Sequence, residues 1–157
     1  MRDAERPVLH LIDGSGYIFR AYHALRGMWM RDGTPTHAVV GFAKMLNKLL
    51  RADKPTALGM AFDTGNKNFR HAIYPEYKAN REAPPEDLTP QFPLIYALVE
   101  AMGIPILQLD GYEADDILAT LARKAVAAGY NVVIVSGDKD LMQLVDDHVC
   151  IFDPMKD

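Results

Sequence analysis

Four short apolar runs, each breaking off into a polar or acidic turn, constrain this chain more than any other feature of its sequence. Residues 8–12 end at Asp13-Gly14-Ser15-Gly16, residues 56–62 at Asp63-Thr64-Gly65-Asn66, residues 104–109 at Asp110-Gly111-Tyr112-Glu113, and residues 131–135 at Ser136-Gly137-Asp138-Lys139-Asp140. Runs this short and this apolar are buried strands that hand over to turn chemistry. What lies between them has helical period. Residues 36–50 carry Val39, Val40, Phe42, Ala43, Leu46, Leu49 and Leu50 close to a 3.6-residue repeat, with Lys44, Asn47 and Lys48 on the remaining face. Residues 17–25 can turn helical, residues 90–102 and 114–128 read as helices stopped by Gly103 and Gly129, a short helix runs through Leu144, and residues 148–152 add a fifth strand. Strands alternating with helices predict an α/β fold with a mainly parallel central sheet flanked by helices.

A chain of 157 residues that is 49% apolar suffices for one compact domain without disulfides. Cys150 is the sole cysteine, which predicts a buried small hydrophobe and a reducing, cytoplasmic compartment. The first dozen residues lack the apolar core of a signal peptide, and no stretch approaches the ~18 apolar residues of a membrane span, so no membrane partner is expected.

In an open parallel sheet, ligands bind beyond the carboxyl ends of the strands, where connecting loops and helix N-termini converge. Asp13, Asp63 and Asp138 follow the first, second and fourth strands, Glu113, Asp115 and Asp116 lie at the turn after the third, and Asp140 sits two residues past Asp138. Each alone could cap a helix. Together they repel: bare carboxylates ~4 Å apart oppose each other by up to ~4 kcal/mol per pair at an effective dielectric near 20, and no obvious run of Arg or Lys neutralises them. Oxygen-only ligands favour Mg²⁺, with Mn²⁺ as substitute, over Zn²⁺. Seven acids suffice for two divalent cations, a pair suited to phosphodiester hydrolysis: one lowers the pKa of a bound water and the other stabilises the leaving oxygen. Glu113 and Asp116 can share a helix face, with Asp115 in a neighbouring direction.

The formal charge of −4 runs against the basic footprint of a nucleic-acid binder. With the seven candidate ligands set aside, 14 acids face 17 Lys and Arg, leaving the remaining surface at about +3. Lys67, Phe69, Arg70, His71, Tyr74, Tyr77, Lys78 and Arg81 interleave cations with rings, which suits a single-stranded or frayed nucleic acid. Arg20, Tyr22 and His23 could extend that surface. Phe69, Tyr74 and Tyr77 could instead face the core. This segment lies within residues 65–89, an irregular, proline-containing stretch long enough to be a lid or arch. His10, His37 and His148 sit in or beside apolar runs and read as packing residues.

Leu11-Ile12-Asp13-Gly14-Ser15, Phe19-Arg20-Ala21-Tyr22-His23-Ala24, Phe62-Asp63, Phe69-Arg70-His71, Tyr77-Lys78-Ala79-Asn80-Arg81, Gly111-Tyr112-Glu113-Ala114-Asp115-Asp116 and Gly137-Asp138-Lys139-Asp140-Leu141 occur in this order. In these motifs the chain resembles the 5′-to-3′ exonuclease and flap endonuclease family, in the form found at the N-terminus of bacterial DNA polymerase I. The resemblance implies a PIN-like α/β sandwich in which all seven carboxylates bind two divalent ions. It also implies that Lys78 and Arg81 steer the scissile phosphate from an arch, with Arg20, Arg70 and Tyr77 as further DNA contacts. The implied substrate is DNA with a 5′ flap, nick or recessed end, RNA primers included. Hydrolysis would leave 5′-phosphate and 3′-hydroxyl ends in replication and repair. A monomer in the bacterial cytoplasm, associated with the nucleoid, is expected. The helix-hairpin-helix region with which the family continues does not occur before Asp157, which predicts a fragment of a longer polymerase or stand-alone exonuclease, covalently linked there to such a region; a short protein with an incomplete site is the alternative.

The same sequence pattern bears on three rival folds or functions. A phosphotransfer receiver has no role for Glu113-Ala114-Asp115-Asp116 or for the basic segment. A dinucleotide-binding domain would need a third glycine where Phe19 stands. A DNA-structure-binding module with a catalytically incomplete metal site is the remaining alternative.

Overall fold

A computed structural model describes residues 5–65, 69–76 and 83–156 of the chain. Five strands form one wholly parallel sheet: β1 (Val8–Asp13), β2 (Ala57–Ala61), β3 (Ile106–Leu107), β4 (Asn131–Val135) and β5 (Val149–Phe152), in the order β3-β2-β1-β4-β5. The chain moves outward from β1 to one edge, then crosses back to place β4 on the other side of β1. Asp13 is in register with Ala61, and Ile12 with Val135, so the carboxyl ends of the three central strands are level.

Side-chain alternation along the strands makes two cores. Ile12, Met60, Val133 and Val135 face helices α1 (Gly14–Ala24), α2 (His37–Asp53) and α4 (Phe92–Ala101), where Phe42, Leu46 and Ile95 are fully buried. Leu11, Ala61, Val132 and Ile134 face α5 (Ala114–Ala127) through Leu118 and Ala122. Every residue of β4 is buried, as expected of a central parallel strand covered on both faces. Full burial of each Leu, Ile or Phe contributes about 1.5–3 kcal/mol relative to exposure, so these two cores dominate stability.

The elements differ from expectation at three points. Helix α1 starts at Gly14, not Tyr17, because the Asp13 side chain caps it by accepting from the Gly16 N–H at 3.0 Å. A Cβ on Gly14 would lie 2.5 Å from the Phe62 ring, so the apparent turn glycine is a packing glycine. The third strand shrinks from residues 104–109 to Ile106–Leu107: Pro105 has no N–H to donate and β3 is the sheet edge. The helix expected over 90–102 opens with a 3₁₀ turn, Thr89–Gln91. Gly103 and Gly129 take φ of 73° and 96°, the left-handed conformation that lets them stop α4 and α5. Cys150 is half-buried against the α1/α2 core, not fully enclosed.

Candidate metal centre

The carboxylates are held at the sheet edge by short, specific contacts. Asp13 is 8% exposed and accepts from the Gly16 N–H and, at 2.9 Å, from the Ser136 hydroxyl. Ser136, itself buried, accepts the Asp138 N–H at 3.0 Å, so one hydroxyl ties the tip of β1 to the turn after β4. Asp63 donates its N–H to the Ser15 hydroxyl at 2.9 Å, and its carboxylate accepts the Ala114 N–H at 2.7 Å, joining the end of β2 to the start of α5. Asp138 caps the 3₁₀ turn Lys139–Leu144 by accepting the Asp140 N–H at 2.9 Å. Gly137 lies directly under the Arg20 guanidinium, and a Cβ there would collide with it.

Four acids from four connections thereby interact: Asp13, Asp63, Asp115 and Asp138. Burial raises the Asp13 pKa, opposed by its Gly16 and Ser136 hydrogen bonds and reinforced by Asp63 and Asp138. Asp115 is pushed up to about 7, first by burial, then by the charges of Asp138 and Asp13, a hydrogen bond to Asp138, and the charge of Asp63. A protonated Asp115 carboxyl is the donor that bond requires. The cluster is electrostatically frustrated, and either a proton or a cation relieves it.

The other three acids are placed differently. Arg70, on the short helix α3 (Phe69–Ile73), grips Asp116 with both Nη atoms at 2.8 Å and reaches Glu113 Oε2 at 3.0 Å. Asp116 also accepts the Glu113 N–H at 2.9 Å, a capping contact at the N-terminus of α5. Glu113 is the extended N-cap of α5, outside the helix, so the two acids meet through the cap and not on a shared helix face, and the Arg70 guanidinium neutralises both. Asp140 is exposed at the rim. Among the described residues no three His, Cys, Asp or Glu side chains are gathered tightly enough to hold an ion as they stand.

Of the expected DNA contacts, Tyr77, Lys78 and Arg81, with Lys67, lie outside the described residues. Arg20 is paired with Asp153 at 3.1 Å and Arg70 with the two acids above. Tyr74 is 58% exposed with its hydroxyl donating to Glu76, so it does not face the core. The three histidines are indeed structural: His10 meets Asp53 at 3.3 Å, His37 packs on Tyr22 and Gln91, and His148 bridges Arg6 and Asn131. Ser15 and Ser136 are positioning residues that the acidic pattern does not point to. Their one sequence signal is a hydroxyl within two residues of a strand-end aspartate.

A family model described as 5′-3′ exonuclease, N-terminal resolvase-like domain, matches residues 8–157. The chain belongs to that family. The DNA polymerase I of Rhizobium leguminosarum is 52% identical over 157 residues, covering 95% of this chain and 16% of that protein. A 5′-3′ exonuclease of Aquifex aeolicus is 42% identical over 149 residues, covering 95% of this chain and 52% of that protein. The chain thus spans about one sixth of the first relative's length and about half of the second's. The bacteriophage T5 flap endonuclease, solved as a pseudo-enzyme-product complex with DNA and metal ions, superimposes with a TM-score of 0.70 at 23% identity, covering 92% of this chain and 54% of that one. That likeness is one of fold, and it bears out the PIN-like α/β expectation.

Proposed function

We propose that this family member carries the catalytic centre of a divalent-metal-dependent 5′-to-3′ exonuclease and flap endonuclease. It would hydrolyse DNA near 5′ ends, as part of a DNA polymerase I or a stand-alone exonuclease. The observation that carries this reading is the frustrated cluster of Asp13, Asp63, Asp115 and Asp138 at the carboxyl edge of the sheet, where burial and mutual repulsion hold Asp115 up to about 7. An all-oxygen donor set with excess negative charge fits Mg²⁺ or Mn²⁺.

These four carboxylates would hold the first ion, after side-chain rotation away from their present protein donors. A second would draw on Glu113, Asp116 and Asp140 once Arg70 lets go of the first two. Bound divalent ions supply a Lewis acid for the attacking water and for the leaving oxygen. The protein's own part is positional: Ser15 and Ser136 fix the strand tips, and the Ala114 N–H orients Asp63. Lys78 and Arg81, in an arch over residues 65–89, would bind the scissile phosphate, with Tyr77 beside them. Arg70 would change partner from carboxylate to phosphate as DNA arrives. Flap, nicked or recessed DNA, including RNA-primed ends, is the proposed substrate of a monomeric nucleoid-associated bacterial enzyme whose parent protein adds a helix-hairpin-helix region.

The test is cleavage of 5′-labelled flap DNA by the purified chain in Mg²⁺ or Mn²⁺. Scission near the junction is expected, abolished by EDTA and by Asp63→Ala or Asp138→Ala with the fold intact. Undiminished cleavage in either variant would reject the carboxylate assignment. Binding of the same DNA in Mg²⁺ without scission would favour the non-catalytic DNA-structure-binding module.

A further inference from the structure

On the β5 side of the carboxylate cluster an open groove of about 310 Å³ continues directly from Ser136-Gly137-Asp138. Its lining includes Lys139 and Lys156, both exposed, and the apolar Met142, Ile151 and Phe152. Met142 is 61% exposed, so its side chain is open to a ligand in the groove. Lys139 makes no ion pair among the described residues, although it follows Asp138 directly. The groove's other acid, Asp153, is already engaged: its carboxylate accepts from Arg20 at 3.1 Å and from the Met155 N–H at 3.0 Å. Beyond Asp138, the candidate metal ligand at its inner end, the groove thus presents Lys139, Lys156 and an Asp153 already held by Arg20 and acted on by the Lys156 charge. On the opposite side of the cluster, at the N-terminus of α5, the described cation is Arg70, already paired with Asp116.

We propose that this groove binds the phosphodiester next to the scissile one, with Lys139 and Lys156 as its counter-charges and Met142 and Phe152 under the adjoining sugar. The inference rests on the nuclease reading and extends it: the strand crosses the sheet edge from the α5 side to the β5 side. Lys139 and Lys156 are then positioning residues that act on DNA register and touch no reacting atom.

Binding of labelled flap DNA in Ca²⁺, measured by anisotropy across a salt series, tests this apart from cleavage. Each phosphate contact contributes about 0.7–0.9 to the slope of log K against log salt. Lys139→Ala and Lys156→Ala should each lower the slope by about that amount. Lys124→Ala, in the last turn of α5 at the far edge of the sheet, should leave it unchanged. A neutral methylphosphonate at one of the two phosphates flanking the scissile one should weaken binding by the parent and leave the double variant unaffected. An unchanged slope, or equal methylphosphonate effects in parent and double variant, overturns the groove assignment while parent binding and cleavage keep the nuclease reading. A parent chain that binds no DNA overturns both.

Discussion

Asp115→Asn should make the metal-free protein more stable while removing its ability to cleave DNA. The Asp115 pKa stands at about 7 against an ordinary 3.8. At about 1.4 kcal/mol per pH unit, ionising this carboxyl in the folded state costs at most about 4 kcal/mol. Asp115 is only half-buried, and water screening brings the expected figure to about 1–2 kcal/mol. An acid whose folded pKa is raised binds its proton more tightly when folded. The penalty is therefore absent below pH 3.8, grows between pH 3.8 and about 7, and is full above that. Asparagine keeps the shape and an N–H donor toward Asp138 and carries no charge. In EDTA at pH 8 the variant should melt about 2–8 °C above the parent, on the scale of about 2–4 °C per kcal/mol for a chain of this size. At pH 4 most of that gain should vanish. Saturating Mg²⁺ or Mn²⁺ should stabilise the parent far more than the variant. Equal melting temperatures at pH 8, or a gain that persists undiminished at pH 4, would refute the claim that the cluster is frustrated.

Three other perturbations follow from the contacts. Arg70→Gln removes the guanidinium that competes for Glu113 and Asp116, so Mn²⁺ affinity without DNA should rise severalfold by calorimetric titration, whereas cleavage should fall. Ser136→Ala breaks the bridge between Asp13 and the Asp138 backbone; a loss of about 1–3 kcal/mol in urea denaturation is expected for a buried pair left unsatisfied. Gly14→Ala drives a methyl into the Phe62 ring, and should cost about 1–3 kcal/mol by overpacking, recoverable in part by Phe62→Leu in the same background.

Strands β1, β2, β4 and β5 and helices α2 and α5 could be read from the sequence because each combines a clean period with an explicit stop. The convergence of Asp13, Asp63, Asp115 and Asp138 followed from topology alone, since parallel strands deliver their ends to one edge. What could not be read is what depends on partners far along the chain. Gly14-Ser15-Gly16 has turn chemistry, yet the Asp13 cap starts the helix there and the Phe62 ring, 48 residues on, is what leaves no room for a side chain at Gly14. Arg70 looked like a phosphate contact because its neighbours in sequence are basic and aromatic, whereas its spatial neighbours are Glu113 and Asp116. Ser136 has only its nearness to Asp138 to mark it, and its bond to Asp13 exists only once β1 lies beside β4. Pro105 is legible in the sequence, and at a sheet edge it limits the third strand to Ile106–Leu107.

The return of the chain to set β4 beside β1 also fixes a moment in the protein's synthesis. Asp13 leaves the ribosome early, yet the Ser136 hydroxyl and Asp138 that complete its surroundings are made more than a hundred residues later. A nascent chain ending before residue 131 has β1 as an open sheet edge and lacks the turn that carries Asp138. Until β4 and the turn after it have been made, Asp13 lacks both the hydroxyl that holds it and the Asp138 charge that opposes it, so the carboxylate cluster cannot form before the second half of this sheet is in place.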